Sequence, residues 1–294
     1  MIRIIIFILL FSINPIYSQN FKKIDSLVEN SIELKAFPGA QLYLKSPDYT
    51  YSKSYGFHTY DSLIKVDQDH LYDLASITKT LAATLALMKL YDENKLKLDD
   101  VVSKYLKKLK GSNKKNSNFH ELLLHQSGWK PYISHQFSLI KKNKKLKSRF
   151  IDDKENDNKV ELAKNLFVKK KYYNKIFRKI KRSKVKKQGD YAYSGLFFCL
   201  VPEIVEIMSK KSFENFLIDE FYSKIGVNLL FNPLKKFPLD KIVPTEFDKI
   251  FRKQLVQGYV HDETAALMGG ISGNAGLFGS ANDVGKISEL LLNE

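Results

Sequence analysis

Asp73-Leu74-Ala75-Ser76-Ile77-Thr78-Lys79-Thr80 carries the strongest structural signal in this sequence, and an apolar run follows it directly. The spacing of that run predicts a helix over 76–91. Ser76 and Lys79, three residues apart at the start of this helix, are expected on one face, so that a hydroxyl meets an amine. A serine hydroxyl needs a nearby base to become a nucleophile, and a lysine can supply that base.

Ser-x-x-Lys alone also fits an N-cap serine followed by a solvated lysine, a combination that a lysine-rich chain produces by chance. Other segments, however, occur with it in a defined order. In them the chain resembles the β-lactamase-related serine hydrolases, which include class C enzymes, penicillin-binding proteins and D-Ala-D-Ala carboxypeptidases. It looks closest to a bacterial branch of that family fused to family 3 glycosidases. The segments are residues 37–40, 73–80, 92–100, 121–128, 193–198, 244–246, 260–263 and 275–283.

This resemblance implies an α/β fold of the β-lactamase/transpeptidase-like type, with a helical lobe and an incomplete antiparallel sheet over residues 19–294. Residues 41–44 and 49–55 are expected to form the first two strands as a hairpin. The family's third motif, Lys-Thr-Gly or His-Thr-Gly, does not follow the 275–283 segment in this sequence. The domain is therefore expected to be incomplete at its C-terminal side.

The resemblance also assigns the catalytic residues. Ser76 would form the acyl-enzyme, Lys79 would take or relay the serine proton, and Tyr193 would act as general acid or base. Position 195, two residues after the tyrosine, carries an amide or carboxylate in the family and is Gly195 here. His125 is expected to cap a helix or pack rather than to catalyse. Neither a cofactor nor a metal is expected, because His261-Asp262-Glu263 has no second cluster of ligands to converge with.

The N-terminus predicts export. Residues 1–18 combine an early arginine, a short apolar run and small residues, which is typical of a secretory signal and too short to span a membrane comfortably. The alternative is a membrane anchor. A single cysteine, Cys199, excludes an intrachain disulfide and is expected in the core. The predicted location is the periplasm or the outside of the cell.

The formal net charge is +16, with lysines concentrated in 141–147, 169–171 and 179–187. Such an excess can mark a nucleic-acid or anionic-surface binder. Lysine-biased composition on a solvated face is the simpler interpretation, and a signal sequence argues against nucleic acid. A weak contact between the lysine-rich segment and an anionic surface stays open, and the oligomeric state is not indicated.

The remaining pattern predicts helices over 21–35, 196–208, 213–225 and 281–292, a loop over 233–244 and partly helical structure over 141–187. The sequence thus favours an exported serine hydrolase that acts on a peptide, ester or lactam carbonyl, with a small molecule or a peptidoglycan peptide as substrate. The alternatives are a non-catalytic β-lactamase-like binding protein and a truncated, inactive fragment.

Overall fold

The structure is a computed structural model, and it describes residues 18–293, with side chains from residue 21 onward. The predicted secretory signal therefore lies, but for Ser18, outside the described residues. Among the described helices, none is both long and apolar enough to cross a membrane. The described chain groups into two compact units, residues 18–40 with 54–66 and residues 41–53 with 67–293.

The smaller unit is built on helix α1 (Ser18–Glu33), which confirms the helix expected over 21–35 within a few residues. Tyr55 is buried in this unit and its hydroxyl donates to Asp25 Oδ1 over 2.6 Å. The hydroxyl of Tyr60 donates to the carbonyl oxygen of Lys35, just after the helix, over 2.9 Å. These two bonds fasten the middle of α1 and the residues just after it to residues 54–66.

The larger unit contains most of the helices and strands. Residues 41–53, which include the tip of the hairpin of β1 and β2, belong to this unit. The hairpin confirms the two strands expected over 41–44 and 49–55, and α9 matches the last predicted helix. In chain order, the elements are β1 (Gly39–Lys45), β2 (Thr50–Gly56), β3 (Tyr72–Asp73), α2 (Leu85–Asp92), α3 (Phe119–Leu123), β4 (Ile151–Asp152), β5 (Lys159–Ala163), β6 (Leu166–Lys169), α4 (Tyr173–Arg182), α5 (Val201–Ser209), α6 (Phe213–Leu217), α7 (Ser223–Ile225), β7 (Leu230–Phe231), β8 (Glu246–Phe247), β9 (Leu255–Val256), α8 (Glu263–Leu267), β10 (Leu277–Gly279) and α9 (Ala281–Leu292).

A small antiparallel sheet in the order β3-β10-β7 lies at the centre of this unit. Phe278 is opposite Asp73 on one side and opposite Leu230 on the other. Phe278 and Leu277 are almost completely buried and belong to one large apolar core. Burying each such side chain stabilises the fold by about 1.5–3 kcal/mol. The central strand β10 therefore joins β7, which follows helices α5 to α7, to β3, which directly precedes the Ser76 segment.

Helix α9 packs against the part of the hairpin that belongs to the same unit. Gly285 lies so close to the ring of Tyr43 that a Cβ at this position would come within 2.2 Å of it. The Ala281 N–H donates to Gln41 Oε1 over 2.8 Å, and Ser52 Oγ donates to Asn282 Oδ1 over 2.6 Å. A capping box formed by Ser280 and its N3 residue fixes the start of α9. One side of the hairpin is thus covered by the last described helix.

The prediction of a partly helical basic segment was incomplete. Helix α4 is present, but it follows a three-stranded antiparallel sheet in the order β4-β6-β5. Asn165 adopts a left-handed backbone (φ 57°) between β5 and β6, as a tight hairpin turn requires. The sequence 159–169 has no glycine or proline to mark that turn, and its lysines obscure the alternation of a strand. The hairpin was therefore missed.

A buried histidine makes this part of the molecule sensitive to acid. His135 is completely buried, and neither of its ring nitrogens has a hydrogen-bond partner. Burial, with a smaller contribution from nearby Lys179, lowers the pKa of His135 from 6.5 to about 4. Between these values the unfolded chain binds more protons than the folded chain, so stability falls as the pH decreases from 6.5 towards 4.

We expect His135→Leu to weaken this pH dependence. The free energy of unfolding, measured by urea titration at pH 7 and at pH 5, should fall more between the two pH values in the wild type than in the variant. The comparison within each protein removes any constant effect of the substitution on packing. Equal losses in both proteins would show that His135 is not the group that titrates.

Candidate active site

Ser76 lies in a tight turn between β3 and the following helix, and not inside the helix as its spacing predicts. Ala75, directly before it, has a left-handed backbone (φ 44°), which is uncommon for a residue with a side chain. Asp73 Oδ1 accepts a hydrogen bond from the Ala75 N–H over 2.8 Å and holds this turn. Burial raises the pKa of Asp73 above its ordinary value, although two backbone N–H groups oppose that rise. The turn presents Ser76 at the surface.

The turn is fastened to the central strand from both of its ends. The Leu74 N–H donates to the carbonyl oxygen of Leu277 over 2.9 Å. The Leu277 N–H in turn donates to the side-chain oxygen of Thr78 over 3.1 Å, and Thr78 is completely buried. Because both bonds reach one residue of β10, the position of Ser76 is determined by a strand about 200 residues further along the chain.

Lys79 is buried directly beneath the serine. Its Nζ donates to Ser76 Oγ over 2.8 Å and to the carbonyl oxygen of Asn274 over 2.9 Å. Within the described residues, no carboxylate lies within 4 Å of this nitrogen. Lys79 opens a short π-helical segment (Lys79–Thr84) that leads into α2, and wide turns of this kind occur often at functional sites. The predicted pair of hydroxyl and amine is therefore formed.

Tyr193 completes the group of residues expected from the sequence. Lys79 Nζ lies 5.1 Å from the centre of the Tyr193 ring, which is about half exposed. Burial by itself would raise the pKa of the Tyr193 phenol, but interactions with Lys79 and Ser76 outweigh it and lower the pKa. A phenol whose pKa is lowered in this way is a better proton acceptor near neutral pH.

His125 lies behind Tyr193 and packs, as the sequence predicts. The His125 ring centre is 4.6 Å from that of Tyr193, and its Nδ1 accepts a hydrogen bond from the Ser194 N–H over 3.1 Å. His125 itself follows α3 with a left-handed backbone (φ 58°). Burial, and then the charge of Lys79, lower the pKa of His125, which favours the neutral ring whose Nδ1 can accept this bond. His125 therefore positions the tyrosine segment.

Asn274 is the functional residue that the sequence did not reveal. Its carbonyl oxygen holds Lys79, while its side-chain oxygen accepts hydrogen bonds from Ser272 Oγ (2.6 Å) and Cys199 Sγ (3.2 Å). Cys199 is in the core as predicted, and burial raises its pKa to about 12. A backbone acceptor leaves no mark on residue type, so no sequence signal could have identified this role.

Gly195 leaves space beside the lysine. A Cβ built at this position would lie 3.7 Å from Asn274 Cβ and 4.0 Å from Lys79 Cε, which are ordinary contact distances. The resemblance leads to an amide or carboxylate at this position, and Gly195 provides neither. No neighbouring side chain occupies the place of the missing Cβ.

The His261-Asp262-Glu263 segment serves the turn rather than a metal. The His261 N–H donates to Asp73 Oδ2 over 2.6 Å, and the Asp262 side chain caps α8. His261 Nε2 faces Glu246 Oε1 at 3.0 Å. In the part of the chain that the structure describes, no group of three or more His, Cys, Asp or Glu side chains could hold a metal ion.

A serine, a lysine and a tyrosine brought together at the start of a helix in this way define a class of acyl-transferring serine hydrolases. The Beta-lactamase family model matches residues 24–294, and the chain belongs to this family. The family and fold expected from the sequence are thereby confirmed, while the branch fused to family 3 glycosidases stays a prediction.

Two relatives by sequence are proteins of Escherichia coli O157:H7 and Salmonella typhimurium strain LT2, both provisionally named as D-alanyl-D-alanine carboxypeptidases. Each is 28% identical to this chain and aligns with 94% of it, and the alignments cover 64% and 65% of the two relatives. The chain therefore spans a little less than two thirds of the length of these relatives.

Solved structures show the same fold. The octameric penicillin-binding protein homologue from Pyrococcus abyssi matches with a TM-score of 0.66 and 22% identity, over 92% of this chain and 56% of that protein. A class C beta lactamase matches with a TM-score of 0.66 and 18% identity, over 92% of this chain and 65% of that protein.

We expect Lys79→Ala to slow acylation at Ser76 strongly, because it removes the only described side-chain nitrogen that donates to Ser76 Oγ. Labelling by a fluorescent penicillin should slow by about 10²-fold or more, the usual contribution of a positioned proton-transfer group. Lys89→Ala is the matched control, since Lys89 lies on α2 and pairs with Glu93 at 3.5 Å. Similar losses in the two variants would contradict a role for Lys79 in proton transfer.

We also expect Gly195→Asn to increase the rate of acylation, because it places an amide beside Lys79 at a position where a Cβ meets no clash. The control is Gly195→Ala, which fills the same space without a polar group and should leave the rate within about 2-fold of the wild type. The rate of labelling by fluorescent penicillin measures both. A folded Gly195→Asn variant without any gain would show that this position contributes nothing to the reaction.

Proposed function

We propose that this chain is the catalytic part of an exported serine hydrolase that cleaves peptides ending in D-alanine, as found in peptidoglycan. The observation that carries the proposal is the 2.8 Å hydrogen bond from Lys79 Nζ to Ser76 Oγ, with the ring of Tyr193 beside it. Family membership supports the acyl-enzyme chemistry, and the names of the relatives support the peptide substrate.

In the first step Ser76 Oγ attacks the carbonyl carbon of the scissile bond. Its proton passes to Tyr193, directly or through Lys79, and the interactions that lower the Tyr193 pKa favour this transfer. Lys79 Nζ, held by the Asn274 carbonyl, stays within hydrogen-bond distance of the oxygen that loses the proton. The new carbon–oxygen bond forms while the carbonyl oxygen takes up negative charge.

In the second step the tetrahedral intermediate collapses and the carbon–nitrogen bond breaks. The proton held by Tyr193 goes to the departing amine of D-alanine, which leaves an ester on Ser76. A water molecule then attacks this ester and gives a proton to the same group. The bond between the acyl carbon and Ser76 Oγ breaks, the proton returns to Ser76 Oγ, and the shortened peptide leaves with a new carboxyl group. The half-exposed position of Tyr193 is consistent with proton exchange at both stages.

Non-catalytic binding of the same peptides is the competing function, and Gly195 is the observation that favours it. The resemblance places a polar group at this position, and Gly195 has no side chain to offer Lys79 instead. Such a protein would bind the peptide and turn it over slowly or not at all. Export rests on the predicted signal at residues 1–18 and is part of the proposal.

We expect the purified chain to release the C-terminal alanine from a tripeptide ending in D-Ala-D-Ala faster than from the same tripeptide ending in L-Ala-L-Ala. Ser76→Ala should abolish the release, because it removes the nucleophile while the turn is held by other groups. Amino-acid analysis of the products measures turnover, and intact-mass analysis measures the acyl-enzyme. Binding of the D-Ala peptide without turnover would support the competing function. Equal rates of release by the wild type and Ser76→Ala would refute the role of Ser76 as the nucleophile.

A further inference from the structure

A positively charged cleft lies between helix α4 and a strip of chain that follows α3, residues 130–133. Its volume is about 640 Å³, and neither Ser76 nor Tyr193 lines it. Six of its lining side chains are cations, contributed by both walls. They are Lys130, Arg178, Lys179, Arg182, Lys184 and Lys186.

The charge in this cleft has no compensation within the described structure. None of the six cations is among the ion pairs found within 4 Å in the described chain, and no carboxylate lines the cleft. Two other cations of this region do have partners, since Lys108 pairs with Glu203 and Lys159 with Asp152, each at 2.6 Å. Uncompensated like charges repel one another, and an anion bound among them removes that repulsion.

One further cation, Lys114, lies behind the cleft inside the protein. Lys114 is completely buried, and burial lowers its pKa to about 8. Its Nζ donates to the carbonyl oxygen of Ser183 over 2.6 Å, and Ser183 lines the cleft. Lys179 is partly buried, and burial together with the charges of Lys175 and Lys147 lowers its pKa.

The arginines indicate the kind of anion. Arg178 and Arg182 are four residues apart on α4, so they lie one above the other on one face of the helix. A guanidinium binds a phosphate or carboxylate through two parallel hydrogen bonds, and lysines around it act as point charges. The cleft is larger than one phosphate needs, which fits a ligand with several phosphate groups on one chain.

We propose that this cleft is a binding site for a linear anion that carries several phosphate groups. The strip that forms one wall also holds the tyrosine segment, because the Lys130 carbonyl accepts from Ser194 Oγ (2.8 Å) and the Pro131 carbonyl accepts from the Gly195 N–H (3.0 Å). A ligand in the cleft therefore rests against the same backbone that positions Tyr193. The site is independent of hydrolysis at Ser76.

The test is calorimetric titration of the full chain with inorganic tripolyphosphate at 0.15 M salt. At this salt concentration, attraction between exposed charges more than about 8 Å apart is largely screened. The wild type should bind one tripolyphosphate per chain. Arg178→Gln with Arg182→Gln should weaken binding by about 10-fold or more, because charge-assisted hydrogen bonds are lost. The matched control, Lys235→Gln with Lys249→Gln, removes two exposed charges outside the cleft and should change affinity by less than about 2-fold.

Thermal unfolding of each variant shows whether the fold is kept, and Ser76→Ala should bind tripolyphosphate as the wild type does. Equal weakening by the two pairs of substitutions would overturn the proposal, because it would trace binding to net charge alone. Several equivalents bound per chain would overturn it as well. Citrate binding as tightly as tripolyphosphate would refute the preference for phosphate.

Discussion

The rest of the site depends on the pairing of the central strand with the segment before Ser76. Leu277 receives one hydrogen bond from the Leu74 N–H and donates another to buried Thr78. These bonds bracket the serine turn from both sides, so the turn keeps its left-handed residue without a glycine. Strain of this kind persists only where the surrounding structure holds it. The apolar burial of β10 is therefore what keeps the nucleophile exposed above its lysine.

A second set of contacts reaches the same turn from the other direction. Arg252 is buried, and its guanidinium donates to Asp248 and to the carbonyl oxygens of Val260 and His261. His261 then donates its N–H to Asp73, which holds the turn. Removing one partner of a buried charge pair leaves an uncompensated charge and typically costs about 3–5 kcal/mol. The serine turn is thus coupled to a charged pair that makes no contact with Ser76 itself.

Much of the site could be predicted from the sequence because its chemistry is carried by residue types. Ser76, Lys79 and Tyr193 were identified from their motifs, and the structure brings them together. The acceptor role of the Asn274 carbonyl and the π-helical segment after Lys79 could not be predicted, since both are properties of the backbone. The strands within the basic region were missed because their alternation is interrupted by lysines. Helices with a clear apolar period, such as α9, were found to within a residue.

The single cysteine, Cys199, can be used to measure local opening of the structure beside the catalytic residues. Cys199 donates to the Asn274 side chain, and the Asn274 carbonyl holds Lys79. A thiol reagent cannot reach this sulfur in the closed structure, because Cys199 is 3% exposed. Modification therefore requires a local opening that exposes the sulfur beside Asn274. The rate of thiol modification, compared with that of a small free thiol, gives the equilibrium constant for this opening next to the catalytic centre, without any label being introduced.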